Sequence, residues 1–366
     1  MQTTLRSLIL LLVLTLAASV APADDPDTTP GVDLGKTRSL LESWTHRTTF
    51  PDSVTFAYYL ADSLRMLEGG VPAEARDRII NFIRRCQRPN GGFVSNPAFG
   101  DAPNVVYTNY ALAALDVVDA GYAVDRDKAL GFIRRLTDPE GGIRSTPGDK
   151  ARPSLGSTFY GVEALRLIKG VEVLDTDKTT AFILAHRTGD EGGFGVTAKG
   201  VARPRPTSMA VRTLATLGTL SEELRAQAIG YLETAIALVG TKGPQLQAFS
   251  TTQAVTDIVE ALDRLEALDD VITDRLVEFV KDRYIAQNGG FGPAPGLGTT
   301  PPSTYQGLLC LEKLDALPER DSAQGAGPGA PSRATATASG RRSNASHVVD
   351  VTAVHDGSAS CRRCAG

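Results

Sequence analysis

Apolar residues recur along this chain at helical spacing, and two kinds of segment alternate. In the first kind one face is apolar and the other charged. Ala75, Ile79, Phe82, Ile83 and Cys86 fall on one side of a helix, and Ile272, Leu276, Phe279 and Val280 do the same near the far end. The second kind is apolar nearly all round, as from Tyr110 to Val118, and runs near 106–118, 157–168, 207–217, 252–265 and 303–314. A helix without a polar face is buried on every side. The amphipathic segments therefore predict an outer layer and the apolar ones an inner layer. A front pair, 37–44 outer and 53–67 inner, completes six helices of each kind, with Trp44 read as packing between them.

Glycine pairs punctuate the pattern at Gly91-Gly92, Gly141-Gly142, Gly192-Gly193 and Gly289-Gly290, at intervals of 50, 51 and 97 residues. A degenerate unit at Gly240 to Gly243 fills the double interval, and Gly69-Gly70 stands out of register. A fifty-residue period with paired glycines also suits a kelch propeller. The helical periodicity on both sides of the pairs decides against it. Six hairpins are enough to close an all-α, α6/α6 toroid over 33–317, and closure covers the end repeats that an open solenoid would have to cap. The glycines are expected where an outer helix stops and the backbone needs a positive φ or a close approach.

The ends of the chain read differently. Arg6, the apolar run Leu8 to Leu16 and Ala21-Pro22-Ala23 form a signal peptide over 1–23, followed by a linker at 24–32. This predicts a secreted or periplasmic protein with no integral membrane segment after cleavage. From 318 to 366 the chain is low in apolar residues and rich in Ala, Gly, Ser, Pro, Thr and Arg, a composition that does not order itself. The tail holds His347, His355, Cys361 and Cys364, without a fold around them that would build a metal site. Cys86 and Cys310 sit alone in helical patterns and read as small buried hydrophobes. A net charge of −4 argues against nucleic-acid binding.

The run from Phe82 to Phe93, with Cys86-Gln87 and Gly91-Gly92-Phe93, and the following Tyr107 to Leu115, resemble a repeat of the prenyltransferase β-subunits. Gly192-Gly193-Phe194-Gly195 and Gly289-Gly290-Phe291-Gly292 repeat the signature, which is also similar to that of squalene and hopene cyclases. The likeness covers about 33–317 and implies the toroid fold. It also implies an isoprenoid diphosphate in the central cavity. In the protein prenyltransferases zinc is held by an Asp and a Cys two residues apart at an inner-helix start, and by a His in the last repeat. The corresponding positions fall in 248–253, which has neither Asp nor Cys, and at Tyr305. We therefore expect no metal, no other cofactor and no zinc-dependent protein prenylation; the need for a protein partner stays open. The Asp175-Thr176-Asp177 run faintly echoes the acidic motif of the cyclases. Asp125-Arg126-Asp127 occupies the same place one repeat earlier, so both predict helix capping.

All inner helices should begin at one mouth of the ring, with their positive dipole ends facing it. The loops there carry Arg144, Lys150, Arg152, Lys199, Arg203, Arg205 and Lys242 against Asp101 and Asp149, a local excess of five positive charges. These seven residues are the candidate site for an anionic head group. Ser157, Thr158, Thr207, Ser208, Thr251, Thr252, Ser303 and Thr304 add hydroxyls at the helix starts. Tyr107, Tyr110, Phe159, Tyr160 and Tyr305, with Phe56 and Tyr59, are the candidate cavity lining. The expected ligand is an amphipathic or isoprenoid molecule, apolar tail inward. The rival readings are a structural or protein-interaction toroid without catalysis, and a carbohydrate-active α/α-barrel enzyme using Asp52, Asp101 and Asp149.

Overall fold

The computed structural model describes residues 31–318 except 101, 149, 190, 191, 199, 242, 244–246, 270 and 272. Among the described residues twelve α-helices alternate between two layers. The outer helices are α1 (Leu34–Thr45), α3 (Ala73–Cys86), α5 (Arg126–Leu136), α7 (Thr176–Leu184), α9 (Glu222–Leu238) and α11 (Asp274–Lys281). The inner ones are α2 (Val54–Glu68), α4 (Val105–Val117), α6 (Leu155–Leu167), α8 (Pro204–Leu217), α10 (Thr252–Arg264) and α12 (Pro301–Lys313). Each inner helix packs on the next, and α12 returns to α2, so the ring closes. A two-residue antiparallel pair, Tyr284–Ile285 with Gly290–Phe291, precedes α12.

The apolar face read in α3 is the buried one: Ala75, Ile79, Phe82, Ile83 and Cys86 all lie in the core. Inner helices start up to a turn earlier than expected at α8 and α12. There Pro204 and Pro301 stand in the first helical turn, where proline's missing N–H costs no hydrogen bond. Asp125 and Asp175 cap α5 and α7 by accepting from the Lys128 and Lys178 amides, as their repeated placement predicts.

The glycine pairs do not cap the outer helices, which stop earlier at Cys86, Leu136, Leu184 and Lys281; they permit a close approach between repeats. Gly91 has φ +90°, and a Cβ on it would sit 2.0 Å from the Lys128 carbonyl oxygen at the start of the next outer helix. Gly289 has φ +80° and faces the Lys36 backbone of α1 in the same way. The last pair thus closes the ring onto the first helix. After each pair, the following residue donates its amide to a buried threonine of the next inner helix: Phe93 to Thr108, Ile143 to Thr158, Phe194 to Thr207 and Phe291 to Thr304.

Candidate functional site

One register position on the six inner helices faces the axis. Tyr59, Tyr110, Tyr160, Met209, Asp257 and Gln306 occupy it, one per helix, and all line a central chamber of about 440 Å³. The residue immediately before it adds Tyr58, Asn109, Phe159, Thr256 and Tyr305. The phenols pair with one another: Tyr58 with Tyr305 at 2.8 Å, Tyr59 with Tyr110 at 2.9 Å, and Tyr110 with Tyr160 at 3.4 Å. Tyr59 and Tyr305 stack at 4.9 Å. Burial raises the pKa of Tyr58, Tyr59, Tyr110 and Tyr305, so these phenols stay neutral.

One turn further along the helices, Asp62, Glu163, Arg212 and Glu260 bring charge to the chamber wall. Arg212 reaches Glu260 at 2.7 Å and lies 4.7 Å from the Phe159 ring centroid. Arg166 holds Glu163 at 3.1 Å, and Arg65 holds Asp62. Asp257 differs from these carboxylates. It is 5% exposed, and its Oδ1 accepts from Gln253 Nε2 at 3.2 Å while Oδ2 has no partner. Burial first, then the neighbouring Glu260, pushes its carboxyl up to about 7 against the pull of Arg205 and Arg212.

Toward the loops the chamber adjoins a mouth compartment of about 610 Å³, lined by Val106, Leu155, Val196, Pro204, Pro206 and Ala254 among others. Tyr160, Arg205, Met209, Gln253 and Asp257 line both spaces and form the junction. Arg205 Nη2 donates to the Tyr160 hydroxyl at 3.1 Å. Burial works against its charge, but Tyr160, Asp257 and Tyr110 outweigh it and raise its pKa.

Of the seven basic residues expected at the mouth, Arg203 and Arg205 line these two spaces; Lys199 and Lys242 lie outside the described residues. Arg144 is turned into its own loop, donating to the Leu136, Gly148 and Arg135 carbonyls. Lys150 and Arg152 are exposed and line neither space. The helix-start hydroxyls are largely spent on structure: Thr158, Thr207 and Thr304 accept from the repeat loops, and Ser157 and Thr252 donate to the Ile143 and Gly292 carbonyls.

Tyr110, Phe159, Tyr160 and Tyr305 line the chamber, and Tyr59 with them. Tyr107 does not: it packs on the core, two residues before the chamber-lining Asn109. Phe56 packs on Trp44 and Phe50. Of the acidic trio, Asp52 lines neither space, and Asp101 and Asp149 lie outside the described residues.

Sequence reasoning missed Tyr58, Asp62, Glu163, Arg212, Asp257 and Glu260. Their signal was the fifty-residue period itself: Asp62, Glu163, Arg212 and Glu260 share one repeat position inside otherwise apolar helices. At the positions equivalent to a prenyltransferase zinc site, Gln253 accepts from Gln306 at 2.6 Å, and Tyr305 is engaged by Tyr58. Among the described residues no three His, Cys, Asp or Glu side chains are grouped closely enough to hold a metal ion. Cys310 is buried against Thr256, and burial pushes its thiol up to about 12.

The structure is similar to protein geranylgeranyltransferase-I from Candida albicans, solved with GGPP, at a TM-score of 0.65 and 16% identity, covering 78% of this chain and 92% of that one. It is also similar to a type II terpene cyclase from Scytonema, at a TM-score of 0.54 and 12% identity over 77% and 96% of the two chains. A variant of that cyclase bound to its substrate geranylgeranyl dihydroxybenzoate superposes with a TM-score of 0.54 and 12% identity over 77% and 95%. At these identities the likeness establishes the fold. No curated protein matches the chain. The profile of the prenyltransferase alpha-alpha toroid domain matches residues 38–243 and 224–325, most of the sequence, and the chain belongs to that family.

Proposed function

We propose that this chain binds an amphipathic small molecule of the isoprenoid class in its central cavity, with an anionic group held at Arg203 and Arg205. The observation that carries this is the position of Arg205, a cation at the junction of the apolar mouth compartment and the tyrosine-lined chamber. A guanidinium there offers charge-assisted hydrogen bonds to a phosphate or carboxylate. The neighbouring structures support the ligand class, since the Candida enzyme was solved with GGPP and the Scytonema cyclase with geranylgeranyl dihydroxybenzoate.

The direction of the ligand departs from the sequence expectation. The chamber carries the ionised groups and the mouth compartment the apolar side chains. Placing hydrocarbon against Glu163 and Glu260 would strip water from charge without replacing it. The apolar body therefore belongs in the mouth compartment, against Leu155, Pro204, Pro206 and Met209, with its polar end toward the junction.

Zinc has no part in this reading, because the amides and phenols at the family's ligand positions already satisfy one another. Export, read from the segment 1–23, would separate the protein from cytosolic prenyl donors, which favours binding or a non-prenylating reaction. A glycosidase-like pair of free carboxylates is not favoured, since arginines engage Asp62, Glu163 and Glu260. Calorimetric titration with geranylgeranyl diphosphate, alongside native mass spectrometry for co-purified lipid, tests the proposal. Failure of both to reveal an isoprenoid ligand would turn the reading to a structural toroid.

A further inference from the structure

Two buried hydrogen-bond acceptors in the chamber have no partner. One is Asp257 Oδ2; the other is Asn109 Oδ1, on a residue 9% exposed. Native proteins rarely leave such atoms unpaired. The donors around Asp257 bond elsewhere and none reaches Oδ2. Arg212 goes to Glu260, Arg205 to Tyr160, and the Gln306 amide to Gln253.

The fold does not require either group. At the register of Asp257 the other inner helices carry Tyr59, Tyr110, Tyr160, Met209 and Gln306. At the register of Asn109 they carry Tyr58, Phe159, Thr256 and Tyr305 where the chamber is lined. An aromatic or apolar side chain would serve the packing at both places.

The two acceptors also share a level on helices that stand across the ring from each other. In a closed ring of six inner helices, α4 and α10 stand three places apart, on opposite walls. Asn109 is the fifth residue of α4 and Asp257 the sixth of α10. At a rise of about 1.5 Å per residue, both lie roughly 6–8 Å below the helix starts. Asp257 is flanked by Glu260 on its own helix and by Arg205 and Arg212 on α8.

We propose that the ligand carries a hydrogen-bond donor, a hydroxyl or ammonium group, that enters the chamber and seats between Asp257 and Asn109. The inference rests on the isoprenoid reading and narrows it. Beside the anionic group at Arg203 and Arg205 the ligand then carries a donor that a plain alkyl diphosphate lacks, and an isoprenoid alcohol or amine presents that donor by itself. Its body would remain in the apolar mouth compartment.

The test compares farnesol, farnesylamine and farnesyl methyl ether by calorimetry on the full chain. Alcohol and amine should bind the wild type roughly tenfold or more tightly than the ether, which keeps the body and loses the donor. Asp257→Leu and Asn109→Leu, which place apolar side chains where other repeats have them, should each shrink that preference. Equal binding of all three probes to the wild type overturns the inference and leaves the isoprenoid reading standing. So does binding of geranylgeranyl diphosphate without any of the three. If none of the four binds, both readings fall.

Discussion

The Thr37 hydroxyl donates to the Gly289 carbonyl over 2.6 Å, joining α1 to the last glycine pair across 252 residues of sequence. Beside it the Tyr284 hydroxyl accepts from the Asp33 amide and donates to the Asp33 carbonyl, each at 3.0 Å. Under these bonds Gly289 approaches the Lys36 backbone as Gly91, Gly141 and Gly192 approach Lys128, Lys178 and Gln227 on the next outer helix.

Gly289→Ala should therefore act on the whole ring. It forces a side chain into positive φ and against the Lys36 backbone, and backbone strain of this kind costs on the order of 1–3 kcal/mol. Gly70→Ala is the control, since nothing lies within 4 Å of the added carbon. Urea unfolding should show a clear loss for the first and a change within about 0.5 kcal/mol for the second. Equal effects would mean that the in-register glycines have no special role.

Asp257 should leave a mark on stability as pH changes. Its folded pKa of about 7 lies above the ordinary 3.8, so the folded state binds the extra proton between those values. Stability from this group is fully present below about pH 4 and is lost as pH rises through 7. Asp257→Asn should flatten that slope and make the protein more stable than wild type at pH 8. Parallel stability curves for the two proteins from pH 4 to 8 would show that Asp257 is not held this way.

Arg203 and Arg205 should matter to binding more than to folding. Exposed arginines at a helix start contribute little to stability, typically under about 0.5 kcal/mol each. Their joint replacement by Ala should leave the melting temperature nearly unchanged and weaken geranylgeranyl diphosphate by about tenfold or more, a factor worth ~1.4 kcal/mol. Wild-type affinity should also fall with added salt. Undiminished affinity in the double variant would remove these residues from the site.

The metal content follows from the donor set. Protein ending at residue 318 should carry no stoichiometric zinc, because Gln253 and Tyr305 stand near the family's ligand positions and are bonded to Gln306 and Tyr58. Elemental analysis returning about one zinc per chain would reopen thiol chemistry for this cavity.

The sequence by itself determined the layers, the repeat and the closed ring. Those features depend on local periodicity and on glycines whose steric demand recurs every fifty residues. The burial of Ile79 and Phe82, and the capping by Asp125 and Asp175, were legible for the same reason, since each is decided within one or two helical turns. Only the tertiary structure decided the site. A single charged residue in an apolar helix, such as Glu163 or Asp257, reads as an anomaly until the ring closes and gives every inner helix a second face, toward the axis. Closure likewise separated Tyr110 from Tyr107, turning the first to the cavity and the second to the core. It also brought Asn109 and Asp257, far apart in sequence, to opposite walls of one chamber. Which side chains meet across that space depends on the rotation of each helix about its own axis, and packing against both neighbours sets that rotation.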